Sequence, residues 1–144
     1  MKNPYPITRA KRTEMRRKQL GYPTRCFYCP ESDLFCFEAD HPVSWELDAD
    51  FKRVVCRNCH RKLEGRRDIK RLAKNGKHGS KESGLEALRR YLLLLAEDQD
   101  TIAEQVLTTP PKLIAKALQE TAASLRRKAE ALSLSDPALN PKIN

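Results

Sequence analysis

Four cysteines in two closely spaced pairs constrain this chain more than any other feature of its sequence. The pairs are Cys26-Phe27-Tyr28-Cys29 and Cys56-Arg57-Asn58-Cys59. A Cys-x-x-Cys pair directs two thiolates at one tetrahedral ion, and two such pairs complete a closed four-sulfur zinc site. Because that site leaves no ligand position for water or substrate, we expect a structural Zn²⁺ held by Cys26, Cys29, Cys56 and Cys59. In so small a module, metal binding contributes directly to folding.

Two disulfides or a redox-active dithiol are the alternatives to zinc. The first basic residues are not followed by the apolar segment of a secretion signal, which argues against disulfides. A thioredoxin-like dithiol needs a βαβ context, and the sequence contains no such pattern. The fifth cysteine, Cys36, lies in an apolar run and is predicted to be a small buried side chain.

The residues between and after the cysteine pairs predict a hairpin followed by a helix. Leu34–His41 is rich in aromatic and apolar residues and is predicted to form the first strand, with Lys52–Cys56 as the second. The segment His60–Glu64 is predicted to be helical. In the connecting loop, Ser44–Asp50, Trp45 and Leu47 are expected to point inward.

Charge alternates in sign along the chain. Residues 1–25 carry a net +7, residues 26–51 a net −7 and residues 52–78 a net +9, whereas residues 79–144 are neutral. The overall excess of +9 argues for a polyanionic partner. Each charged run is by itself compatible with a solvated surface. The functional alternative is a cation-binding centre between two arms that contact phosphates.

The order of three motifs resembles the HNH endonuclease family. These motifs are Cys26-x-x-Cys29, then Glu38-Ala39-Asp40-His41-Pro42, then the run from Val54 to Leu63 with its Cys56-x-x-Cys59-His60 core. The resemblance covers about residues 25–65 and implies the ββα-metal fold. A phage recombination endonuclease of the same superfamily has a similar zinc frame and stays an alternative.

The resemblance implies a role for three site residues. His41 matches the general base that takes a proton from water. Asp40 and His60 match the pair that holds a catalytic divalent cation, for which Mg²⁺ or Mn²⁺ is suited and other divalent ions are permitted. One departure is Phe51, which stands where the family usually has an Asn that orients the catalytic histidine. Asp48 or Asp50 is the candidate replacement.

Basic residues on and after the motif helix are the predicted DNA contacts. Phosphate contacts position a protein on DNA without reading its sequence. The candidates on this track are Arg57, Arg61, Lys62, Arg66, Arg67, Lys70 and Arg71.

The C-terminal part is predicted to form helices with an apolar face. A capping box at Thr101–Glu104 predicts a helix break after Asp100. The last helix has one apolar stripe, formed by Ile114, Leu118, Ala122, Leu125, Ala129 and Leu132. The stripe is expected to pack as a helical hairpin over the zinc module. Alternatively, Leu93 and Leu94 add apolar area that makes these helices a homodimer surface.

These observations combine into one prediction of fold and function. The fold is α+β, with a basic arm or helix at 1–24, a zinc-stapled ββα-metal module with a basic extension at 25–78, C-terminal helices at 79–132 and a loose tail at 133–144. The function expected from the resemblance is metal-dependent DNA endonuclease. Its alternatives are a non-catalytic zinc-stapled DNA-binding or regulatory protein, and an interaction module built on the C-terminal helices.

The cellular location follows from the same sequence features. The longest aliphatic run, Leu92–Ala96, is far shorter than the roughly 20 residues of a membrane span. We therefore expect no membrane association, and a cytoplasmic protein encoded by a bacterium or phage.

Overall fold

The protein is a mixed α+β structure of four helices and one two-stranded sheet in the part of the chain described by the computed structural model, residues 7–72 and 84–135. The predicted fold class is therefore confirmed. The elements in chain order are α1 (Arg9–Leu20), β1 (Phe37–Asp40), β2 (Arg53–Cys56), α2 (Arg57–Ile69), α3 (Gly84–Gln105) and α4 (Pro111–Ser135). Residues 73–78 of the predicted basic extension and 136–144 of the predicted tail lie outside the described residues.

The basic N-terminal segment forms a capped helix. The Thr8 side chain accepts a hydrogen bond from the backbone N–H of Lys11, which satisfies one of the free donors of the first turn of α1. Gly21 ends the helix at φ 74°, a left-handed conformation that costs glycine little. None of the α1 side chains is buried. Arg16 connects the helix to the sheet by donating to the backbone oxygen of Phe37.

The hairpin is shorter at its start than the sequence pattern predicts. Strand β1 pairs antiparallel with β2 so that Phe37 lies opposite Cys56 and Asp40 opposite Arg53. Residues Leu34–Cys36 form a 3₁₀ turn instead of strand, because the Asp33 carboxylate accepts from the Phe35 backbone N–H and begins the turn. The turn leaves Cys36 partly exposed, so its predicted burial is wrong.

The hairpin loop also differs from expectation. Trp45 is 67% exposed, so the predicted inward position is wrong. Val43 and Phe51 fill that place instead, and they pack with Tyr91, Leu94 and Leu95 of α3. Ser44 adopts a positive φ of 67° at the turn, so the loop reverses direction immediately after His41 and Pro42.

Residues of helices α3 and α4 pack against the hairpin and α2. Ile102 of α3 and Ala117 of α4 belong to the same apolar cluster as Phe27, Phe37 and Leu63. Helix α3 runs through Thr101 without a break, because the Thr101 hydroxyl donates to the Glu97 carbonyl one turn earlier and does not cap a new helix.

Most of the predicted apolar stripe of α4 is exposed, although its first residue, Ile114, packs against the core cluster as expected. Leu118, Leu125 and Leu132 are 52%, 39% and 40% exposed. The buried face of α4 consists instead of small and polar residues, including Ala117, Thr121 and Ser124. The exposed apolar surface expected from Leu93 and Leu94 of α3 is smaller than predicted. Leu94 is buried in the core, whereas Leu93 is exposed.

A buried ion pair joins the sheet to the helices. Arg53 of β2 and Asp98 of α3 are paired with side chains that are each 1% exposed. The guanidinium lies between the rings of Phe27 and Phe51, 5.1 Å from each centroid. The Tyr28 hydroxyl also donates to Asp98, at 3.3 Å. Arg53 therefore ties the module to the helical pair at one buried point.

We expect Asp98→Ala to lower the free energy of unfolding by about 3–5 kcal/mol, because it leaves the Arg53 charge buried without its partner. Denaturant titration followed by circular dichroism measures the change. The matched control is Glu104→Ala, which removes the 2.6 Å pair with Arg66 at an exposed position and is expected to cost about 0–1 kcal/mol. Equal losses in both variants would contradict the role assigned to Arg53 and Asp98.

Candidate functional site

The four cysteines of the two pairs converge on one point, as the spacing predicts. The loop before β1 supplies Cys26 and Cys29, whereas the junction of β2 and α2 supplies Cys56 and Cys59. All four Sγ atoms lie within 4.8 Å of one another, and those of Cys29 and Cys56 are 3.6 Å apart. Sulfurs bound to one tetrahedral zinc at about 2.3 Å are separated by roughly 3.8 Å. The group can therefore hold a metal ion such as zinc.

The pKa values of these thiols indicate that four thiolates are unfavourable here without a bound cation. Burial raises the pKa of Cys26, and burial together with the neighbouring Cys26 raises the pKa of Cys59. The backbone N–H of Cys56 donates to the Cys26 sulfur at 3.1 Å, as it would to a thiolate. Four thiolates at these distances repel one another unless a positive ion neutralises them.

A second group of polar side chains lies beside the cysteine cluster, where β1 meets α2. Asp40 is the last residue of β1 and is 1% exposed, while His60 follows Cys59 in the first turns of α2. The His60 Nε2 atom lies 3.5 Å from Asp40 Oδ1. Its Nδ1 atom lies 2.8 Å from a carboxylate oxygen of Glu38. A neutral His60 that donates from Nδ1 to Glu38 presents the Nε2 lone pair to Asp40, the arrangement typical of metal-binding histidines.

Arg67 is the main competitor for a cation at Asp40. Its two terminal nitrogens donate to the two oxygens of the Asp40 carboxylate at 2.7 and 2.8 Å. The Arg67 side chain is 12% exposed. The sequence predicts Arg67 as a DNA contact, but the structure places its guanidinium against Asp40 instead. Asp40 and His60 are close enough for one ion to contact both, provided that the ion displaces this guanidinium.

His41 lies at the mouth of an open cleft of about 560 Å³. The cleft is also lined by Trp45, Glu64 and Arg67. The His41 Nδ1 atom is buried and has no hydrogen-bond partner among the residues that the structure describes. Burial lowers the pKa of His41, while Asp40 and the backbone and carboxylate of Asp48 oppose this change. The imidazole is therefore neutral near pH 7, and Nε2 is the nitrogen left for the cleft.

Asp48 braces the loop behind His41. Its carboxylate accepts from the Phe51 backbone N–H at 3.1 Å, from the Ser124 hydroxyl and from Arg127 at 3.3 Å. Burial opposes ionisation, but these contacts hold the pKa of Asp48 below its usual value. Of the two acids proposed to replace the usual Asn, Asp48 is thus engaged with the loop, whereas Asp50 is exposed. Phe51 itself is 2% exposed and belongs to the core.

The predicted DNA contacts fall into two groups. Arg66, Arg67 and Lys70 are paired with Glu104, Asp40 and Glu97 respectively. Arg57 contacts Glu38 at 3.1 Å but is itself 63% exposed. The remaining exposed members of the track are Arg61, Lys62 and Arg71.

Three site residues were not predicted from the sequence as partners of the Asp40 and His60 pair. Glu38 orients the His60 ring, Glu64 lies 3.7 Å from His60 Nε2, and Arg67 binds Asp40. For Glu64 the signal was present, because it lies four residues after His60 on the same helix face. For Glu38 it was the two-residue spacing from Asp40 on one strand.

Comparison of the chain with protein-family models, with curated proteins and with solved structures finds no match. None of the helices in residues 7–72 and 84–135 has both the length and the apolar character that a membrane crossing requires.

Proposed function

We propose that the protein is a metal-dependent DNA endonuclease of the HNH type with a structural zinc. One observation carries the proposal. Asp40 and His60, with their polar atoms 3.5 Å apart, lie beside a cysteine cluster that can hold zinc, and His41, directly after Asp40, lines an open cleft together with Arg67, the partner of Asp40. A candidate cation pair and a candidate base therefore belong to one small hairpin-helix unit, which supports the proposal.

Each residue of the proposed site has a separate role in phosphodiester hydrolysis. His41 accepts the proton of the attacking water at Nε2, because burial keeps its ring neutral and its other nitrogen faces the interior. Asp40 and His60 hold the divalent cation, which when bound supplies a Lewis acid for the phosphate and the leaving oxygen. Glu38 keeps the His60 ring in the binding orientation. Asp48 keeps the loop behind His41 in place.

Arg67 serves as the counter-ion of Asp40 whenever the cation is absent. A carboxylate that is 1% exposed requires a positive partner, since an unpaired buried charge is strongly unfavourable. A cation that binds Asp40 takes over that role and releases the guanidinium toward the cleft, which Arg67 also lines. There it is able to bind a phosphate through the same two-nitrogen fork.

We expect Arg67→Met to lower the free energy of unfolding by about 3–5 kcal/mol in the absence of added divalent cation, because it leaves Asp40 buried and unpaired. Added Mn²⁺ should raise the melting temperature of this variant by more than it raises that of the wild type. Arg66→Met, one residue away and paired at the surface, is the control and should respond to Mn²⁺ as the wild type does. Equal Mn²⁺ shifts in all three proteins would contradict competition between Arg67 and a cation.

Exposed basic residues supply the DNA-binding surface in this proposal. Arg61 and Lys62 are exposed on α2, one turn or less after His60. Helix α1 adds a second basic surface, which contains Arg9, Lys11, Arg12, Arg17 and Lys18. Such residues release counterions from the phosphate backbone on binding, without selecting a sequence.

We expect the Arg61→Glu/Lys62→Glu double variant to weaken binding to all duplexes about equally and to reduce the salt dependence of the affinity. Each lost phosphate contact lowers the slope of log K against log salt by about 0.9. Fluorescence anisotropy of a labelled duplex at several salt concentrations measures both effects. Lys112→Glu/Lys116→Glu on α4 makes the same charge change away from the site and is the control. Equal weakening by the two double variants would argue against a specific surface on α2.

A non-catalytic DNA-binding protein on the same frame is the second candidate. Two observations favour it, the Arg67 fork on Asp40 and the core position of Phe51 where an Asn is usual. Plasmid cleavage separates the candidates, because only the nuclease converts supercoiled DNA to relaxed or linear forms when Mg²⁺ or Mn²⁺ is added.

A further inference from the structure

The only tryptophan of the chain is exposed in the cleft that His41 lines. Trp45 is 67% exposed, the largest exposed fraction of any aromatic side chain in residues 7–72 and 84–135. It lines the cleft of about 560 Å³ together with His41 and Arg67. A tryptophan ring is usually buried for most of its surface, because its apolar area is large. Its exposure inside the cleft of the proposed site therefore indicates a surface for a ligand.

The backbone that carries Trp45 is a hydrogen-bonded turn held in place by helix α3. The Ser44 carbonyl accepts from the backbone N–H of Asp48 at 3.2 Å, which closes the turn around Trp45. Arg90 of α3 contacts the residue on each side of Trp45. It donates to the Ser44 hydroxyl at 3.4 Å and pairs with the Glu46 carboxylate at 3.5 Å. Because the turn is already ordered, a ligand that contacts the indole pays little entropy for ordering the loop.

The charges of the cleft restrict what can contact the indole. Among the described residues, its lining includes three carboxylates and one guanidinium, those of Glu46, Glu64, Asp68 and Arg67. An apolar protein surface laid over Trp45 would also cover carboxylates and exclude the water that hydrates them, which is unfavourable. A nucleobase has an apolar face that stacks on an aromatic ring and a polar edge that donates hydrogen bonds to carboxylates. The cleft therefore suits a nucleobase better than an apolar partner.

We propose that Trp45 stacks on an unpaired nucleobase of a single-stranded DNA segment bound in this cleft. This role rests on the proposed function, because it assigns the strand beside that base to His41 and Arg67. In a duplex, neighbouring base pairs cover both faces of each base, whereas a single strand leaves bases free to stack on aromatic side chains. Trp45 therefore favours single-stranded over duplex DNA, while the exposed basic residues of α2 contact the phosphates of either form.

The emission of Trp45 reports this contact directly, because the chain contains no other tryptophan. A base stacked on an indole quenches its fluorescence, whereas a phosphate contact elsewhere does not. The zinc-loaded full chain, without added divalent cation, is titrated with a single-stranded oligonucleotide, with the duplex of the same sequence and with an abasic strand of the same length. The abasic strand keeps the phosphates and lacks the bases. We expect quenching by the single strand alone, while anisotropy of the labelled DNA records binding of all three.

Three variants separate stacking from other effects of the loop. Trp45→Ala should weaken binding of the single strand by about 5- to 150-fold, the contribution of one stacked base, and leave the affinities for the duplex and the abasic strand unchanged. Trp45→Phe keeps an aromatic ring and should retain most of the preference for the single strand. Phe35→Ala, which removes an aromatic side chain that is 48% exposed outside the cleft, is the control and should keep the wild-type preference. Zinc content and circular dichroism verify that each variant is folded.

The role of Trp45 would be overturned by a single strand that binds without quenching, by equal quenching with the duplex or the abasic strand, or by a chain that binds no DNA. A Trp45→Ala variant with wild-type affinity for the single strand, or an equal loss in Phe35→Ala, would overturn it as well. Failure of the nuclease proposal gives a different result. Quenching by the single strand without cleavage in any divalent cation would remove the nuclease and support Trp45 stacking, whereas cleavage without quenching would do the reverse.

Discussion

Replacing His41 with Ala is expected to slow phosphodiester cleavage by about 10²–10⁴-fold, the usual contribution of a general base. Zinc content and DNA affinity should stay close to their wild-type values, because His41 does not belong to the four-cysteine group or to the exposed basic residues of α2 to which we assign DNA binding. The measurement is the rate of plasmid relaxation under single-turnover conditions, with DNA affinity determined separately at the same salt concentration.

The control for His41→Ala is a variant that acts through the cation. His60→Ala should also lose cleavage, but a higher Mn²⁺ concentration should restore part of it, because Asp40 can still bind the ion. Mn²⁺ should not restore His41→Ala, since the base is missing whether or not the ion is bound. A His41→Ala protein that cuts within a few-fold of the wild-type rate would exclude His41 as the base.

Replacing Cys59 with Ser is expected to unfold the hairpin and α2. Structural zinc contributes about 10–16 kcal/mol in small zinc modules, which equals or exceeds the total stability of most small domains, about 5–15 kcal/mol. The wild type should contain one zinc per chain by elemental analysis, and Cys59→Ser should contain none. Loss of dispersion in the amide NMR spectrum of the variant would report the unfolding.

Cys36→Ser is the matched control for the zinc prediction. Cys36 lies outside the four-cysteine cluster, and its sulfur is 3.8 Å from an Asp33 carboxylate oxygen. This variant should keep one zinc and a wild-type spectrum. A well-folded wild type without zinc, or a folded Cys59→Ser, would show that the metal is not what holds the module together.

The features that were predictable from the sequence are those that depend on local spacing. The spacing of each Cys-x-x-Cys pair brings its two sulfurs close together, and the structure brings all four sulfurs to one point. The α+β class followed from aromatic strands next to a helical segment. The helix break predicted from the capping box at Thr101–Glu104 was wrong, because a threonine inside a helix can donate to the carbonyl one turn earlier, as Thr101 does.

The features that were not predictable depend on contacts between distant parts of the chain. The two hydrogen bonds from Arg67 to the Asp40 carboxylate join residues that are 27 positions apart in the sequence. The hydrogen bond from Ser124 to Asp48 joins residues that are 76 positions apart. Neither leaves a local pattern. The burial of Phe51 has the same origin, since only the packing of α3 against the loop makes that position apolar. An Asn at this position would bury an amide in a hydrophobic cluster.

The helical stripe of α4 illustrates the limit of periodicity. A 3.6-residue pattern identifies an apolar face but does not say what covers it. In this chain the buried face is made of Ala117, Thr121 and Ser124, and the leucines point outward. The hydroxyls of Thr121 and Ser124 contact Arg53 and Asp48, and Leu113 and Ile114 pack against the core cluster, so polar and apolar contacts together determine the position of α4.

The measurement that tests the nuclease proposal most directly is cleavage of supercoiled plasmid by zinc-loaded wild-type protein with and without added Mn²⁺. His41→Ala, purified in the same way, controls for a contaminating nuclease. Our account predicts relaxed or linear DNA with the wild type in Mn²⁺, and intact plasmid without the added ion or with His41→Ala. Plasmid that stays intact in Mg²⁺, Mn²⁺, Ni²⁺ and Co²⁺, at a salt concentration where the wild type binds DNA, would contradict the nuclease and leave the DNA-binding protein.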